Sequence, residues 1–209
     1  MKTRDKILDT SLELFNEKGY GNVGNREIAR YLNISPGNLS YHFSKKEDIL
    51  IHLLNEFRDN NSNYYNVYHQ GVPSLDAFLG LMKNIFHSQY KFRGVYIGNQ
   101  FVQMDVASSG QFDYVQNASA RLENFRQIFT DLVAHDYLKA SESGIDFLVS
   151  FISLFGRFWI QEVFLLQTEN DEEKIIRHYL KILKKQLSMF ATKKGKKSIK
   201  KFSLKNFIA

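Results

Sequence analysis

The chain has 209 residues, of which 44% are apolar, and it contains 18 Phe and 11 Tyr but only 2 Pro. This length and apolar content allow a small head on a larger body, and the scarcity of proline favours long helices. The absence of cysteine excludes disulfides and cysteine-ligated zinc.

The net charge of +6 is unevenly distributed along the chain. Residues 191–209 carry seven lysines and no acidic residue, so the whole positive excess lies at that end. The net charge of the chain is therefore weak support for nucleic-acid binding. Stronger support has to come from a local sequence motif. The charged N-terminus lacks the apolar core of a signal peptide, and no uninterrupted apolar window predicts a membrane span. A cytoplasmic protein without a membrane partner is expected.

The first fifty residues predict three helices. Apolar residues at helical spacing predict a first helix over residues 3–18, with Gly19 as its C-cap. A second helix is predicted over residues 25–32, and a turn follows it. Ser35 then caps a short third helix whose first residue is Pro36, the helix position at which proline is best tolerated.

Ser44 and Glu47 have the spacing of a capping box, which predicts a fourth helix. This helix is expected to fade in the polar stretch 58–63, where we place the domain boundary. Apolar periodicity then predicts five body helices, over residues 75–90, 94–107, 112–137, 143–166 and 172–190. The expected fold is all-α with about nine helices: an N-terminal three-helix head followed by a C-terminal helical bundle.

The second and third helices have the spacing of a helix-turn-helix, in which the outer face of the second of the pair enters the major groove. Ile28, Ala29 and Leu39 are spaced to form the small core between them. The residues left exposed on the third helix are polar or aromatic, which suits contacts to base edges and phosphates. Lys46 stands at a helix N-terminus, where a phosphate is already favoured.

Residues 26–29 (Arg-Glu-Ile-Ala), 34–43 (Ile-Ser-Pro-Gly-Asn-Leu-Ser-Tyr-His-Phe) and 46–50 (Lys-Glu-Asp-Ile-Leu) resemble the DNA-binding domain of the TetR family of bacterial transcriptional regulators. The resemblance covers residues 3–55 and implies that the third helix faces DNA, that Lys46 contacts a phosphate and that Arg26 contacts the backbone or a base. The predicted DNA-binding residues are Arg26, Pro36, Gly37, Asn38, Ser40, Tyr41, His42 and Lys46.

Two departures from the family pattern leave the operator sequence open. Ser40 stands where the family often has tyrosine, and Val23 and Gly24 stand where threonine or serine is usual. Residues 93–99 also resemble the RGCxxGN segment of one TetR subgroup. Val95 replaces its cysteine, which excludes the thiol sensing known in that subgroup.

Aromatic and apolar residues of the body could line a ligand cavity, although core packing alone also explains most of them, because cores and apolar pockets share a composition. The candidates are Phe86, Tyr90, Phe101, Met104, Phe125, Phe129, Phe155 and Trp159. Helices 143–166 and 172–190 are more apolar than one buried face requires, which indicates an interface. The resemblance implies a homodimer through a four-helix bundle, and the alternative is that both helices form the core of a monomer.

These features predict a helix-turn-helix DNA-binding domain over residues 1–50, with helix 4 connecting to about residue 60, a ligand-binding and dimerisation domain over 62–191, and a lysine-rich tail over 192–209. The tail could contact DNA or an anionic surface, although a disordered, solvated end is the commoner case. The predicted function is a ligand-responsive repressor that binds a palindromic operator as a dimer and is released by a small, largely apolar effector. An activator and a non-DNA-binding adaptor stay open as alternatives, as do the effector, the operator and the regulated genes.

An enzyme is not expected. The sequence has no nucleophile elbow, phosphate loop, HExxH motif or convergent acid pair, and Asp105 and Asp113 belong to no motif. The five histidines other than His42 show no metal-ligand spacing with carboxylates, so no metal or other cofactor is predicted.

Overall fold

The computed structural model describes residues 2–95, 100–110, 112–166, 169 and 171–202. These residues form ten α-helices and no strand, which confirms the all-α class. The helices are α1 (Thr3–Lys18), α2 (Asn25–Tyr31), α3 (Pro36–His42), α4 (Lys46–Gln70), α5 (Leu75–Lys91), α6 (Gln100–Ser109), α7 (Tyr114–Ala134), α8 (Glu142–Leu166), α9 (Glu172–Ser188) and α10 (Lys193–Lys201).

The chain packs as two compact units. One contains residues 1–60 and 91–113, and the other contains residues 61–90 and 114–209. The domain scheme predicted from the sequence assigned residues 91–113 to the ligand-binding domain, whereas they pack here with the head. The difference arises because this segment contacts α1 and the turn after it, as Gly94 does with Asn16 and Asp105 does with Tyr20. These partners lie far away in sequence, so no local pattern shows the contact.

Local signals account for the ends of the head helices. Gly19 closes α1 with φ +81° and an N–H that donates to the Phe15 carbonyl, in the left-handed region that glycine occupies without steric cost. Asn33, with φ +54°, makes the sharp turn after α2, a conformation that asparagine tolerates better than most residues. At α3, the Ser35 hydroxyl accepts a 3.1 Å hydrogen bond from the Asn38 N–H, as the capping prediction requires.

Helix α4 differs from its prediction in two ways. It runs unbroken through the polar stretch 58–63 instead of fading there. At its N-terminus the capping carboxylate belongs to Asp48, not Glu47: Asp48 Oδ2 accepts hydrogen bonds from Ser44 Oγ at 2.6 Å and from the Lys45 N–H at 3.0 Å. The hydrogen bond from Ser44 and the neighbouring backbone donors hold the pKa of Asp48 below its usual value, although partial burial opposes this.

The second unit is a bundle built around α5, α7, α8 and α9. Its interior contains a polar link in which Trp159 Nε1 donates to Gln89 Oε1 at 2.6 Å and Gln89 Nε2 donates to the Gly156 carbonyl at 2.9 Å. Among the described residues α8 alone has the length and composition to cross a membrane. It packs as a bundle helix: Asp146 forms an ion pair with Arg126 on α7, and Glu162 accepts a 3.0 Å hydrogen bond from the Tyr179 hydroxyl on α9.

The lysine-rich end is helical between Lys193 and Lys201 rather than disordered along its whole length. The Thr192 side chain caps α10 by accepting a 3.0 Å hydrogen bond from the Gly195 N–H. Ile199 and Phe202 are buried, and the Ser198 hydroxyl bonds to Asp76 at the start of α5. Tertiary packing of one face therefore stabilises a helix whose other residues are almost all lysine.

The docking of α10 depends on Gly195. A Cβ atom at this position would lie inside van der Waals contact with the Tyr137 carbonyl oxygen and 3.1 Å from Leu75 Cδ1. Replacing Gly195 by alanine should therefore separate α10 from the bundle and lower the free energy of unfolding by about 1–3 kcal/mol, as overpacking does. Urea denaturation measures this, and hydrogen exchange at residues 193–201 should speed up. Unchanged exchange there would contradict the packing described.

Candidate nucleic-acid interface

Helix α3 separates cleanly into an inner and an outer face. Leu39 is fully buried, and Phe43, just beyond the last turn, is nearly so. Residues four apart share a helix face, so these two fix which side of α3 points into the head. The opposite side carries Gly37, Asn38 and Tyr41, all of them exposed. The sequence-predicted face of the recognition helix is thus free of the head's own core.

Tyr41 dominates the outer face, with 86% of its surface exposed. Its ring meets the half-buried His42 ring edge to face, with the centroids 5.2 Å apart. Pro36 and Ser40 are also exposed and lie beside this pair. Such a surface offers hydroxyl, amide and imidazole groups in a short row, which are the groups that contact base edges and phosphates.

Lys46 is placed differently from the other predicted residues. Its Nζ donates to the Tyr20 carbonyl at 3.1 Å and lies 4.0 Å from the centre of the Tyr20 ring. The cation therefore ties the first turn of α4 to the segment that follows α1, and its side chain is half-buried. The ammonium group has three N–H donors, so its bond to the Tyr20 carbonyl leaves donors for a phosphate.

Tyr20 also bonds to Asp105, a contact that the sequence did not predict. It is fully buried, and its hydroxyl donates to Asp105 Oδ2 on α6 at 2.7 Å. Burial, together with the neighbouring Asp105 carboxylate, raises the pKa of Tyr20 far above its usual value, so the hydroxyl keeps its proton and acts as the donor. No motif contains Asp105, because its partner lies 85 residues away in sequence.

Asn16 makes a second link between the head and residues 91–95. Its side-chain amide donates to the Lys91 carbonyl at 2.8 Å, and its Oδ1 accepts from the Gly94 N–H at 2.7 Å. Lys91 Nζ also pairs with Glu56 Oε1 on α4 at 3.1 Å. The C-terminal end of α5 is therefore bonded to both α1 and α4. Of the predicted RGCxxGN-like segment, residues 96–99 lie outside the described residues.

Arg26, the remaining predicted contact, lies exposed on α2. Its neighbour Glu27 pairs with Lys18 Nζ at 2.7 Å, and this bond holds the pKa of Glu27 below its usual value.

The predicted ligand residues fall into separate groups. Phe86, Phe155 and Trp159 lie together in the second unit, with the Phe86 and Trp159 ring centroids 4.9 Å apart and those of Phe86 and Phe155 6.1 Å apart. Phe125 and Phe129 pack around Phe78 in the same unit. These rings fit the core interpretation as well as a pocket wall.

The other predicted ligand residues are Tyr90, Met104 and Phe101. Tyr90 is half-buried near the end of α5. Met104 belongs to the first unit, on α6, and is 59% exposed. The Phe101 side chain lies outside the described residues.

Comparison with known proteins identifies the head. A sequence model for the family described as "Bacterial regulatory proteins, tetR family" matches residues 7–53. The chain is 36% identical over 86 residues to the probable HTH-type transcriptional regulator YttP of Bacillus subtilis. This alignment covers 41% of this chain and 42% of that protein. It is 29% identical over 102 residues to IcaR of Staphylococcus epidermidis, a negative transcriptional regulator of a biofilm operon. This alignment covers 45% of this chain and 51% of that protein. The chain thus aligns with about half or less of these relatives.

The fold comparison extends over the rest of the chain. A TetR-family transcriptional regulator from Marinobacter aquaeolei VT8 superposes with a TM-score of 0.83 at 24% identity, covering 95% of this chain and 96% of that one. That likeness establishes the fold: a helix-turn-helix head followed by a helical bundle. The family match over residues 7–53 therefore identifies the head as that of a TetR-family regulatory protein, and the chain as a whole has the fold of such a regulator.

Proposed function

We propose that this protein is a ligand-responsive transcriptional repressor that binds a palindromic operator as a homodimer. The proposal rests on the outer face of α3, where Asn38, Ser40 and Tyr41 are exposed. The inner face of the same helix is buried in the head through Leu39. A repressor is favoured over an activator because a relative, IcaR, is named a negative regulator.

Dimerisation is supported by a continuous apolar stripe on α8. Phe147, Leu154, Phe158 and Leu165 each have about half or more of their surface exposed. At 100° per residue these four positions fall within about 40° of one another on the helix. An apolar stripe of this length on a bundle helix marks a protein interface. We assign a second copy of the chain to it, as in a four-helix bundle that includes α9.

Introducing charge into the stripe tests the dimer. Leu154→Glu with Phe158→Glu should give a monomer of 24.4 kDa where the unchanged chain sediments at twice that mass, because two carboxylates cannot be buried unpaired. Val115→Glu, at a 76% exposed apolar position on α7, is the matched control and should stay dimeric. Analytical ultracentrifugation reads both, and a dimer that survives the double change would contradict the assignment.

The effector site is proposed for the second unit, beside the cluster of Phe86, Phe155 and Trp159. An apolar ligand fits these rings.

The proposed route from effector to DNA is α5. This helix carries Phe86 and Ser88 and ends at Lys91, whose carbonyl and side chain are bonded to Asn16 on α1 and Glu56 on α4. A ligand that displaces α5 would therefore shift the head through these bonds. The shift changes operator affinity only if the ligand binds the two arrangements with different affinity.

The experiment is selection of duplex DNA from a random pool by the purified chain. A homodimer with two recognition helices should enrich a dyad-symmetric sequence whose half-sites lie about 34–36 Å apart, or slightly more. Enrichment without symmetry would contradict the dimeric reading, and no enrichment at moderate salt would favour the adaptor alternative.

A further inference from the structure

Helix α10 carries a charged surface that the recognition helix does not use. Its nine residues include six lysines and no acidic residue, and all six lysines are exposed. Four of them, at positions 193, 196, 197 and 200, are spaced i, i+3, i+4 and i+7, so they share one face of the helix. Hereafter these four are the lysine row.

The lysine row is free of internal partners. Lys194 donates to the His135 carbonyl and lies over the Tyr137 ring, and Lys201 faces the carboxylate of Asp76. Within the described part of the chain, the side chains of the lysine row make no hydrogen bond or ion pair. They are also like-charged neighbours on a helix, an arrangement that destabilises it, and Lys193 meets the unfavourable end of the helix dipole. A polyanion lying along the row relieves both effects.

We propose that the lysine row binds the phosphate backbone of duplex DNA, independently of sequence, as a contact surface additional to the recognition helix. A helix rises 1.5 Å per residue, so the row spans roughly 11 Å. Phosphates of one strand advance about 3.4 Å along the duplex axis, so this length matches about three of them. Lysines act as point charges toward phosphate and carry no base readout.

Two features of α10 favour duplex DNA over other polyanions. Helices that bind membrane surfaces insert an apolar face, whereas Ile199 of α10 and Phe202, which follows the helix, are both buried. Proteins that bind single strands stack bases on aromatic side chains, and the exposed face of α10 has none among its described residues. The exposed face of α10 therefore carries regularly spaced lysines.

The test measures binding to a duplex of unrelated sequence over a range of salt concentrations. Replacing the four lysines by glutamine should reduce the slope of log affinity against log salt by about 2–3, since each phosphate contributes about 0.9. Over a fourfold rise in salt the unchanged chain should then lose about 40-fold more affinity than the variant. The matched control replaces the same four lysines by arginine, which keeps the charge and should keep the slope.

The outcomes separate this inference from the proposed function. Both sets of substitutions are repeated in a chain that carries Tyr41→Ala and His42→Ala, where the slope change should persist even though operator discrimination is lost. An equal slope for the glutamine variant and the unchanged chain overturns the inference, as does an arginine variant that behaves like the glutamine variant. Tighter binding to vesicles of phosphatidylcholine and phosphatidylserine than to the duplex, lost on glutamine substitution, also overturns it.

Discussion

Replacing Tyr41 and His42 together by alanine lowers operator affinity by about a hundredfold or more. Each base or backbone contact of a recognition helix is worth about 1–3 kcal/mol, and two are removed. Because Tyr41 is 86% exposed, the change removes little packing and should leave the head folded. Fluorescence anisotropy with the selected operator measures the loss, and the circular dichroism melting curve shows whether the fold is intact.

The control for this prediction is Val72→Ala, at a 77% exposed position between α4 and α5. It removes a similarly exposed apolar side chain outside the head and should leave operator affinity unchanged. Retention of full affinity by the Tyr41 and His42 double variant would mean that α3 does not read DNA. The adaptor alternative would then be preferred.

Replacing Gly94 by alanine destabilises the first unit by about 3 kcal/mol or more, near the upper end of what overpacking costs. The added Cβ would lie 2.5 Å from the Asn16 backbone nitrogen and still closer to the Phe15 carbonyl group. All these atoms are backbone in α1, so no side-chain rotation relieves the clash. The segment after α5 must then move away from α1 and break the bond between Gly94 and Asn16.

Hydrogen exchange measured by mass spectrometry localises that effect. Peptides from α1 should exchange about a hundredfold faster, since 1.4 kcal/mol corresponds to a factor of ten. The fluorescence of Trp159, the one tryptophan in the chain, reports the second unit of the same variant. Gly37→Ala is the matched control in the first unit: its Cβ would lie 3.9 Å from Ser35 Oγ, so stability should be unchanged or rise slightly. Unaltered exchange in α1 of the Gly94 variant would contradict the close approach.

The parts of the fold that local chemistry decides could be predicted from the sequence. Ser35, Pro36 and Gly19 are signals that act within one turn of helix, and each lies where it was expected. The exposed side of α3 followed from the apolar spacing of Leu39 and Phe43. The family resemblance, carried by residues 26–50, is confirmed by the comparisons.

What could not be predicted depends on contacts between residues distant in sequence. The packing of residues 91–113 with the head rests on Gly94 against the α1 backbone and on Asp105 against Tyr20, and neither pair leaves a periodic pattern. The phosphate contact of Lys46 stays a prediction, but its contacts with the Tyr20 carbonyl and ring could not be foreseen from the sequence. Like charges disfavour an isolated helix, so the sequence favoured disorder for residues 193–201. Packing of Gly195 and Ile199 against the bundle offsets this repulsion.

The most direct test of the central claim is the ratio of the chain's affinities for its selected operator and for a scrambled duplex of equal length, measured at one physiological salt concentration. Electrostatic attraction alone binds both equally, so the ratio isolates what the face of α3 reads. A dimeric regulator should prefer its operator by about a thousandfold or more. A ratio near one would contradict the account, however tightly the chain binds DNA.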